Sequence, residues 1–220
     1  MDEPIYPYQP VPPTPGPPAP VPLDVPFGPT QWNEWARASL FERRAVLLDG
    51  LLDDALAMRV ASELMLLESD GDDPIELRID SAGGALGAAL TLVDVVDLLA
   101  PAVHAVVVGR AEGPALAVLA VSARRVAAPH ARLRFGVDQS QADGRAADVL
   151  AFAARQRDQV RELAGRLATV GSLDLDTIED KIMRRAPLSL DEAVRWGFLD
   201  AVAEPEARVL RLPRKVGFRR

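Results

Sequence analysis

Prolines divide this 220-residue chain into a part that can fold and a part that cannot. Twelve of the 19 prolines lie in residues 1–30. Because proline fixes φ and has no N–H donor, so dense a run forms neither helix nor sheet and favours extended polyproline-II backbone. We therefore predict a proline-rich, largely disordered tail over 1–30, either solvated without a partner or acting as a gate segment or a ligand for a proline-binding module. The folded domain is predicted over 31–204.

The composition limits both the core and the kinds of site. Apolar residues make up 49% of the chain and aromatic residues only 5%, so the core must consist of Ala, Val and Leu, which suits helices packed closely on a sheet. The net charge of -7 argues against non-specific nucleic-acid binding, which needs a basic surface. There is no cysteine, and His104 and His130 stand without ligand spacing. We therefore predict no metal site and no cofactor.

The two ends carry no membrane signal. No apolar run approaches the roughly 20 residues that span a bilayer, and Met1-Asp2-Glu3 does not begin a basic leader. These features predict no membrane association and a cytoplasmic protein. Residues 205–220 are rich in Arg and form a predicted basic tail.

Strand and helix patterns alternate along the predicted domain. Strand patterns occupy 45–48, 75–79, 103–108, 124–128, 131–136 and 199–202. Helical patterns occupy 53–69, 86–99, a segment from Pro114, 145–169 and a last short helix that Ser189 and Glu192 can cap. This alternation predicts an α/β domain with a largely parallel sheet.

One segment and its neighbours carry a family resemblance. Ile75–Leu99, IELRIDSAGGALGAALTLVDVVDLL, resembles the strand, Ser-Pro-Gly-Gly turn and helix of Clp protease proteolytic subunits. Similar segments lie on both sides of it, in the family's order, at 41–54, 103–122, 129–132, 143–144 and 188–202. The likeness therefore covers about 40–202. It implies the ClpP/crotonase-like fold, built from repeated β-β-α units with a protruding handle helix.

The resemblance also locates the family's catalytic positions, and none of them carries the required side chain. Its nucleophilic serine, its histidine and its aspartate fall on Gly113, Gly136 and Arg185. In a Ser-His-Asp triad the serine attacks, the histidine takes its proton and the aspartate orients the histidine. Of the two oxyanion-hole positions, Gly84 keeps its N–H, whereas Pro114 has none to donate. The resemblance therefore implies that no catalytic residue is intact.

Few other residues could rebuild such a site. Ser81, Ser122 and His130 are nearby in sequence. However, Ser81 belongs to the structural turn, and the resemblance places His130 at a family position that is not the base. Glu112 is unusual at the end of an apolar strand pattern, and we predict that it pairs with Arg110 or Arg185 in a structural salt bridge.

Three functions remain open at this stage. The first is a structural or regulatory pseudo-subunit of a Clp-type ATP-dependent protease complex, in homo- or hetero-oligomeric rings with other subunits of the family. The second is an active serine peptidase with relocated residues, and the third is an acyl-CoA-binding, crotonase-like protein. Docking of a Clp ATPase is doubtful, because Glu76 and Arg78 replace the aromatic residues that line the family's docking pocket, and desolvating charge is costly.

Overall fold

The computed structural model describes residues 29–137 and 144–204, which hold seven helices and seven strands. The helices are α1 (Pro29–Phe41), α2 (Asp54–Ser69), α3 (Leu86–Leu98), α4 (Ala115–Val121), α5 (Ala146–Val170), α6 (Leu175–Met183) and α7 (Leu190–Arg195). The strands are β1 (Ala45–Leu52), β2 (Ile75–Gly84), β3 (Val103–Glu112), β4 (Arg124–Ala127), β5 (Arg132–Arg134), β6 (Pro187–Leu188) and β7 (Ala201–Val202). The predicted tails lie outside the described residues, except that Pro29 and Thr30 begin α1, as proline can in a first helical turn.

The strands of the described chain form one mostly parallel sheet. Its order is β1-β2-β3-β4-β7, with every neighbouring pair parallel. Strand β5 pairs in parallel with the end of β3, and β6 pairs antiparallel with β5. The prediction of an α/β domain with a largely parallel sheet is confirmed.

The two faces of the sheet differ in burial. On β2, Ile75 and Leu77 are fully buried, whereas Glu76 and Arg78 alternate with them and remain partly exposed. Apolar side chains of α2, α3 and α4 complete the core above the buried face, including Leu64, Leu92 and Leu116. The side chains of this period-2 pattern thus decide which face the helices cover.

Several helices begin at side chains that accept a hydrogen bond from the first turn. Asp53 accepts from the N–H of Leu56 at 2.8 Å and so caps α2. Ser189 and Glu192 form the predicted capping box of α7, with each side chain accepting from the backbone N–H of the other residue. Such caps satisfy N–H groups that a helix leaves unpaired.

Some elements differ from the sequence-based prediction. β1 continues past Asp49-Gly50 to Leu52, while β2 continues through the glycine turn to Gly84. These extensions exist because Leu52 pairs with Gly84 across the two strands, a long-range contact that local patterns do not contain. The short helix α6 and the two-residue strand β6 were not predicted.

The long helix α5 has two different halves. Its 25 residues span about 38 Å. Its buried residues, Leu163, Ala164 and Leu167, all lie in the second half, where the helix packs against α6 and α4. Leu150 in the first half is 70% exposed. The first half therefore extends beyond the packed core, as expected for the handle helix of the predicted fold.

Candidate functional site

The candidate site lies where β2 and β3 end. Because parallel strands end at the same edge of a sheet, the turn Ser81–Gly84 and the end of β3 meet there, with Ser81 paired to Ala111. Gly84 has φ +147°, and a Cβ atom on it would lie 2.1 Å from the carbonyl oxygen of Leu52. Only glycine allows this approach of β1 to the turn.

Gly113 joins β3 to α4. Its φ is +55°, in the left-handed region, and its N–H donates to the carbonyl oxygen of Arg134 at 2.9 Å. A Cβ atom at this position would lie 3.2 Å from the carbonyl oxygen of Gly136 and 3.7 Å from the Cα of Gly83. The position that the resemblance assigns to the nucleophile is therefore pressed between two other backbone segments.

Gly136 lies on the far side of this contact and touches Arg185. Its φ is +152°, and a Cβ atom on it would lie 3.4 Å from the Cγ of Arg185. Arg185 itself has φ +52°. The structure thus brings together Gly113, Gly136 and Arg185, whose positions in the sequence are 23 and 49 residues apart. Their assignment as the family's triad positions stays a prediction.

These residues enclose a space that we call the glycine cleft, lined by Ala82, Gly113, Gly136 and Arg185 together with Arg134, Phe135 and Val137. The cleft is narrow, with about 160 Å³ of empty space between its lining atoms, part of it open to solvent. Pro114, the residue before α4, lies against the turn, with its Cδ 3.5 Å from the position of a Cβ on Gly83. Backbone segments at Gly83, Gly113 and Gly136 therefore approach one another closely at this edge of the sheet.

The serines considered as substitutes are held elsewhere. The hydroxyl of Ser81 is fully buried and bonds to Gly83 in its own turn at 3.3 Å. Ser122 donates to the carbonyl oxygen of Val118 at 3.0 Å, at the end of α4. His130 is exposed, and His104 is the second residue of β3. Within residues 29–137 and 144–204, no serine hydroxyl forms a hydrogen bond with a histidine.

Glu112 forms a salt bridge with Arg134, which was not one of the two predicted partners. Its carboxylate accepts from the Nη2 of Arg134 at 2.5 Å, with the Glu112 side chain 14% exposed. Arg110, one of the two predicted partners, instead donates to Asp80 at 3.2 Å. The register of β5 explains this difference, since it places Arg134 opposite Glu112 at the end of β3. Sequence reasoning missed Arg134 because this pairing cannot be deduced from local patterns.

The part of the chain that the structure describes contains neither a metal-binding cluster nor a membrane-spanning helix. In the described ranges, no group of three or more His, Asp or Glu side chains could hold a metal ion. None of the helices found there is both long and apolar enough to cross a membrane.

The carboxyl groups with shifted pKa values lie at caps and at the sheet edge. Hydrogen bonds from the side chain and backbone of Arg125 lower the pKa of Asp200, the residue before β7. Hydrogen bonds from Ser189 lower the pKa of Glu192, and those from Thr177 lower the pKa of Asp174. In each case the hydrogen bonds stabilise the ionised form of a carboxylate that has a structural role.

Together, these features define a class of α/β protein with a parallel sheet, a double-glycine turn after β2, a second helix beginning after β3 and a long projecting helix. Comparison with known proteins identifies the family to which this class of fold belongs. The Clp protease family model matches residues 30–206. The chain is 31% identical over 172 residues to ATP-dependent Clp protease proteolytic subunit 2 of Streptomyces coelicolor, covering 75% of this chain and 78% of that protein.

Two further relatives agree. Proteolytic subunit 4 of Streptomyces avermitilis is 30% identical over 169 residues, which cover 75% of each chain. Proteolytic subunit 2 of Leifsonia xyli subsp. xyli is 32% identical over 172 residues, covering 75% of this chain and 76% of that protein. The chain belongs to the Clp protease family.

Proposed function

We propose that this chain is a Clp protease family subunit without peptidase activity of its own, which acts as a structural or regulatory member of a Clp-type protease assembly. The single observation that carries the proposal is the contact of Gly113, Gly136 and Arg185 in one narrow cleft. A hydroxyl nucleophile and an imidazole base have to touch there for acyl transfer, and the two glycines offer neither group.

The backbone also opposes simple restoration of the triad. At Gly113, a serine Cβ would press on the carbonyl oxygen of Gly136 at 3.2 Å. At Gly136, φ +152° is a conformation that a histidine rarely adopts. Pro114 would still lack the second oxyanion donor, a loss that typically costs about 10²–10³ in rate. Activity would therefore need a different backbone as well as different side chains.

The direct test is peptidase activity of the purified chain. The substrate is a small fluorogenic peptide, and a serine-reactive phosphonate reports any activated hydroxyl. We expect neither turnover nor labelling, while the Streptomyces coelicolor proteolytic subunit 2 serves as the positive control. Turnover that a phosphonate abolishes would overturn the proposal and favour the relocated peptidase.

A restoration series tests the cleft itself. The triple variant Gly113→Ser, Gly136→His, Arg185→Asp should remain inactive. A quadruple variant that adds Pro114→Met to these three substitutions should also remain inactive. Circular dichroism and thermal melting separate a folded but inactive variant from an unfolded one. A folded triple variant with robust hydrolysis would show that the cleft opens readily, contrary to the backbone argument.

Assembly is the second part of the proposal. The core and the handle-like half of α5 support a subunit that can join homo- or hetero-oligomeric rings. Tagged purification from its own cell, with identification of bound proteins and measurement of the particle mass, should recover another proteolytic subunit in a large particle. A monomeric species in every mixture with such subunits would contradict this part alone.

The exposed face of β2 affects whether a Clp ATPase can bind this chain. Glu76 and Arg78 form a salt bridge at 2.5 Å on this face, with both side chains 40% exposed. An apolar anchor would have to desolvate this pair, which is costly. We therefore expect rings rich in this chain to bind a Clp ATPase weakly, and ATPase binding equal to that of rings lacking the chain would refute the expectation.

A further inference from the structure

An open apolar groove lies away from the glycine cleft, between the end of α1 and the last turn of α2. Its volume is about 530 Å³. Its apolar lining consists of Phe41, Leu66 and Leu67, and Leu66 is 59% exposed. We refer to this surface as the apolar groove. Phe41, Leu66 and Leu67 together give this concave surface a contiguous apolar floor, and contiguous exposed apolar patches mark interaction sites.

The rim of the apolar groove is acidic. Glu42 and Asp70 line it and are exposed. The stretches 41–44 and 68–73 that surround it carry five carboxylates, at 42, 68, 70, 72 and 73, against two arginines, at 43 and 44. One of these, Arg44, directs its guanidinium to the carbonyl oxygens of Gly71 and Asp73, each at 2.8 Å. The groove therefore suits an apolar segment that also carries positive charge.

Charge distinguishes between the two terminal segments of the chain. Residues 1–28 hold three acidic and no basic side chains, so the rim repels them. Residues 205–220 hold six basic side chains and one acidic. Their last part, Arg214-Lys215-Val216-Gly217-Phe218-Arg219-Arg220, places two apolar side chains between four basic ones.

The sheet topology gives the distance that this segment must cross. β7 lies four strand spacings from β1, which is about 19 Å. The N–H of Ala203 donates to the carbonyl oxygen of Ala127 on β4. The strand pairings place Ala127 level, across β3 and β2, with Leu48 on β1. Arg44, at the groove, precedes Leu48 by four residues, about 13 Å along the strand. The straight separation from the end of β7 is therefore about 23 Å.

The chain after β7 is long enough to cover it. Twelve Cα-to-Cα steps lead from Glu204 to Val216, and they extend to at most about 40 Å. Residues 205–213 can thus lead around the edge of the sheet and leave 214–220 at the apolar groove of the same molecule.

We propose that residues 214–220 dock in the apolar groove of their own chain, with Val216 and Phe218 on Phe41 and Leu66 and the basic side chains facing the acidic rim. The docked segment covers Leu66 and joins the two edges of the sheet. This interaction is independent of whether the chain is catalytic.

The absence of native cysteine makes a disulfide test direct. The full chain carrying Leu66→Cys and Val216→Cys is oxidised mildly, and intramolecular cross-linking is followed on non-reducing gels. A disulfide needs Cα atoms within about 7 Å. The matched control carries Met183→Cys, which is 70% exposed, with Val216→Cys. Docking predicts cross-linking at least about tenfold faster for the 66–216 pair, through its higher effective concentration.

Charge variants and mixing complete the test. Reversing Arg214→Glu and Lys215→Glu should slow the 66–216 cross-link severalfold, and adding Glu42→Lys and Asp70→Lys should restore it. Equal rates for the 66–216 and 183–216 pairs would overturn the proposal. So would a 66–216 disulfide that forms between chains, in a mixture of the single-cysteine proteins Leu66→Cys and Val216→Cys, as fast as it forms within the double-cysteine chain.

Discussion

The glycine cleft and the core under α3 and α4 are closed by different parts of the chain. In the core, side chains such as Leu92, Leu116 and Leu119 interlock and are fully buried. In the cleft, the backbone of Gly113 approaches that of Gly136, and the side chains of Phe135 and Arg185 line the space beside them. The core depends on interlocking side chains, so single truncations weaken it, whereas the cleft depends on a close approach of backbone at glycine positions, where an added side chain meets neighbouring atoms.

Truncating a ring next to the cleft should give the largest effect. Phe198 is fully buried and meets Phe135 edge-on, with ring centroids 5.7 Å apart. Phe198→Ala should lower the free energy of unfolding by about 3–5 kcal/mol, through lost burial and a residual cavity. Urea denaturation measures this loss, and Leu98→Ala, at an 83% exposed site, should change it by less than about 0.5 kcal/mol. A decrease in the free energy of unfolding below about 1 kcal/mol for Phe198→Ala would mean that neighbouring side chains collapse into the cavity, so that the ring is not tightly packed.

A methyl group at the turn should be nearly as damaging as a lost ring. Gly84→Ala places its Cβ 2.1 Å from the Leu52 carbonyl oxygen, so β1 has to move, at a cost of about 3 kcal/mol from overpacking and backbone strain. Gly165→Ala in α5 is the control, because nothing lies within 4 Å of its added methyl. It should stabilise by about 0.5–1 kcal/mol through helix propensity. Equal effects of both substitutions in urea denaturation would argue that the turn is not tightly packed.

How much of this could be predicted from sequence depends on the range of the interactions. The period-2 burial of β2 and the capping box at Ser189 are local, and both predictions are confirmed. Helix α6 also has local signals, namely the cap at Asp174 and the buried pair Ile178 and Ile182, four residues apart. It was missed because nine residues carry too short a pattern to stand out from a loop.

The site required information that the sequence pattern does not contain. The family resemblance assigns the triad positions to Gly113, Gly136 and Arg185. Their contact, however, depends on three connections that fold onto one edge of the sheet. The Glu112–Arg134 pair depends on the register between β3 and β5. The left-handed backbone of Arg185 also has no signature in its residue type.

The ion pair at the cleft should contribute less than either packing effect. A double-mutant cycle with Glu112→Gln and Arg134→Met should give a coupling free energy of about 0.5–1 kcal/mol, because Arg134 is partly solvated. The same cycle with Asp180→Asn and Arg184→Met, whose side chains are more exposed, should give about 0–0.5 kcal/mol. A coupling near zero at Glu112 would mean that this charged pair does not help to hold β5 beside the cleft.

The smallest expected effect is a pH dependence at the opposite edge of the sheet. Asp200 accepts from the backbone N–H of Arg125 at 2.7 Å and from its Nη2 at 2.6 Å, which joins β7 to β4. These hydrogen bonds lower the pKa of Asp200 in the folded state. Its contribution to stability is therefore present above the unfolded-state pKa of about 3.9 and is lost as the pH falls through the lower folded-state value.

The variant Asp200→Asn isolates this contribution, since it keeps the size of the side chain but cannot ionise. Between pH 6 and pH 3, the free energy of unfolding of the unmodified chain should fall more steeply than that of Asp200→Asn, because Asp174 and Glu192 titrate equally in both proteins. Urea denaturation at several pH values gives both slopes. Parallel slopes would mean that the Asp200–Arg125 contact is no stronger in the folded chain than solvation in water. The pH sensitivity would then reside in the helix caps, where Asp174→Asn and Glu192→Gln should flatten the curve instead.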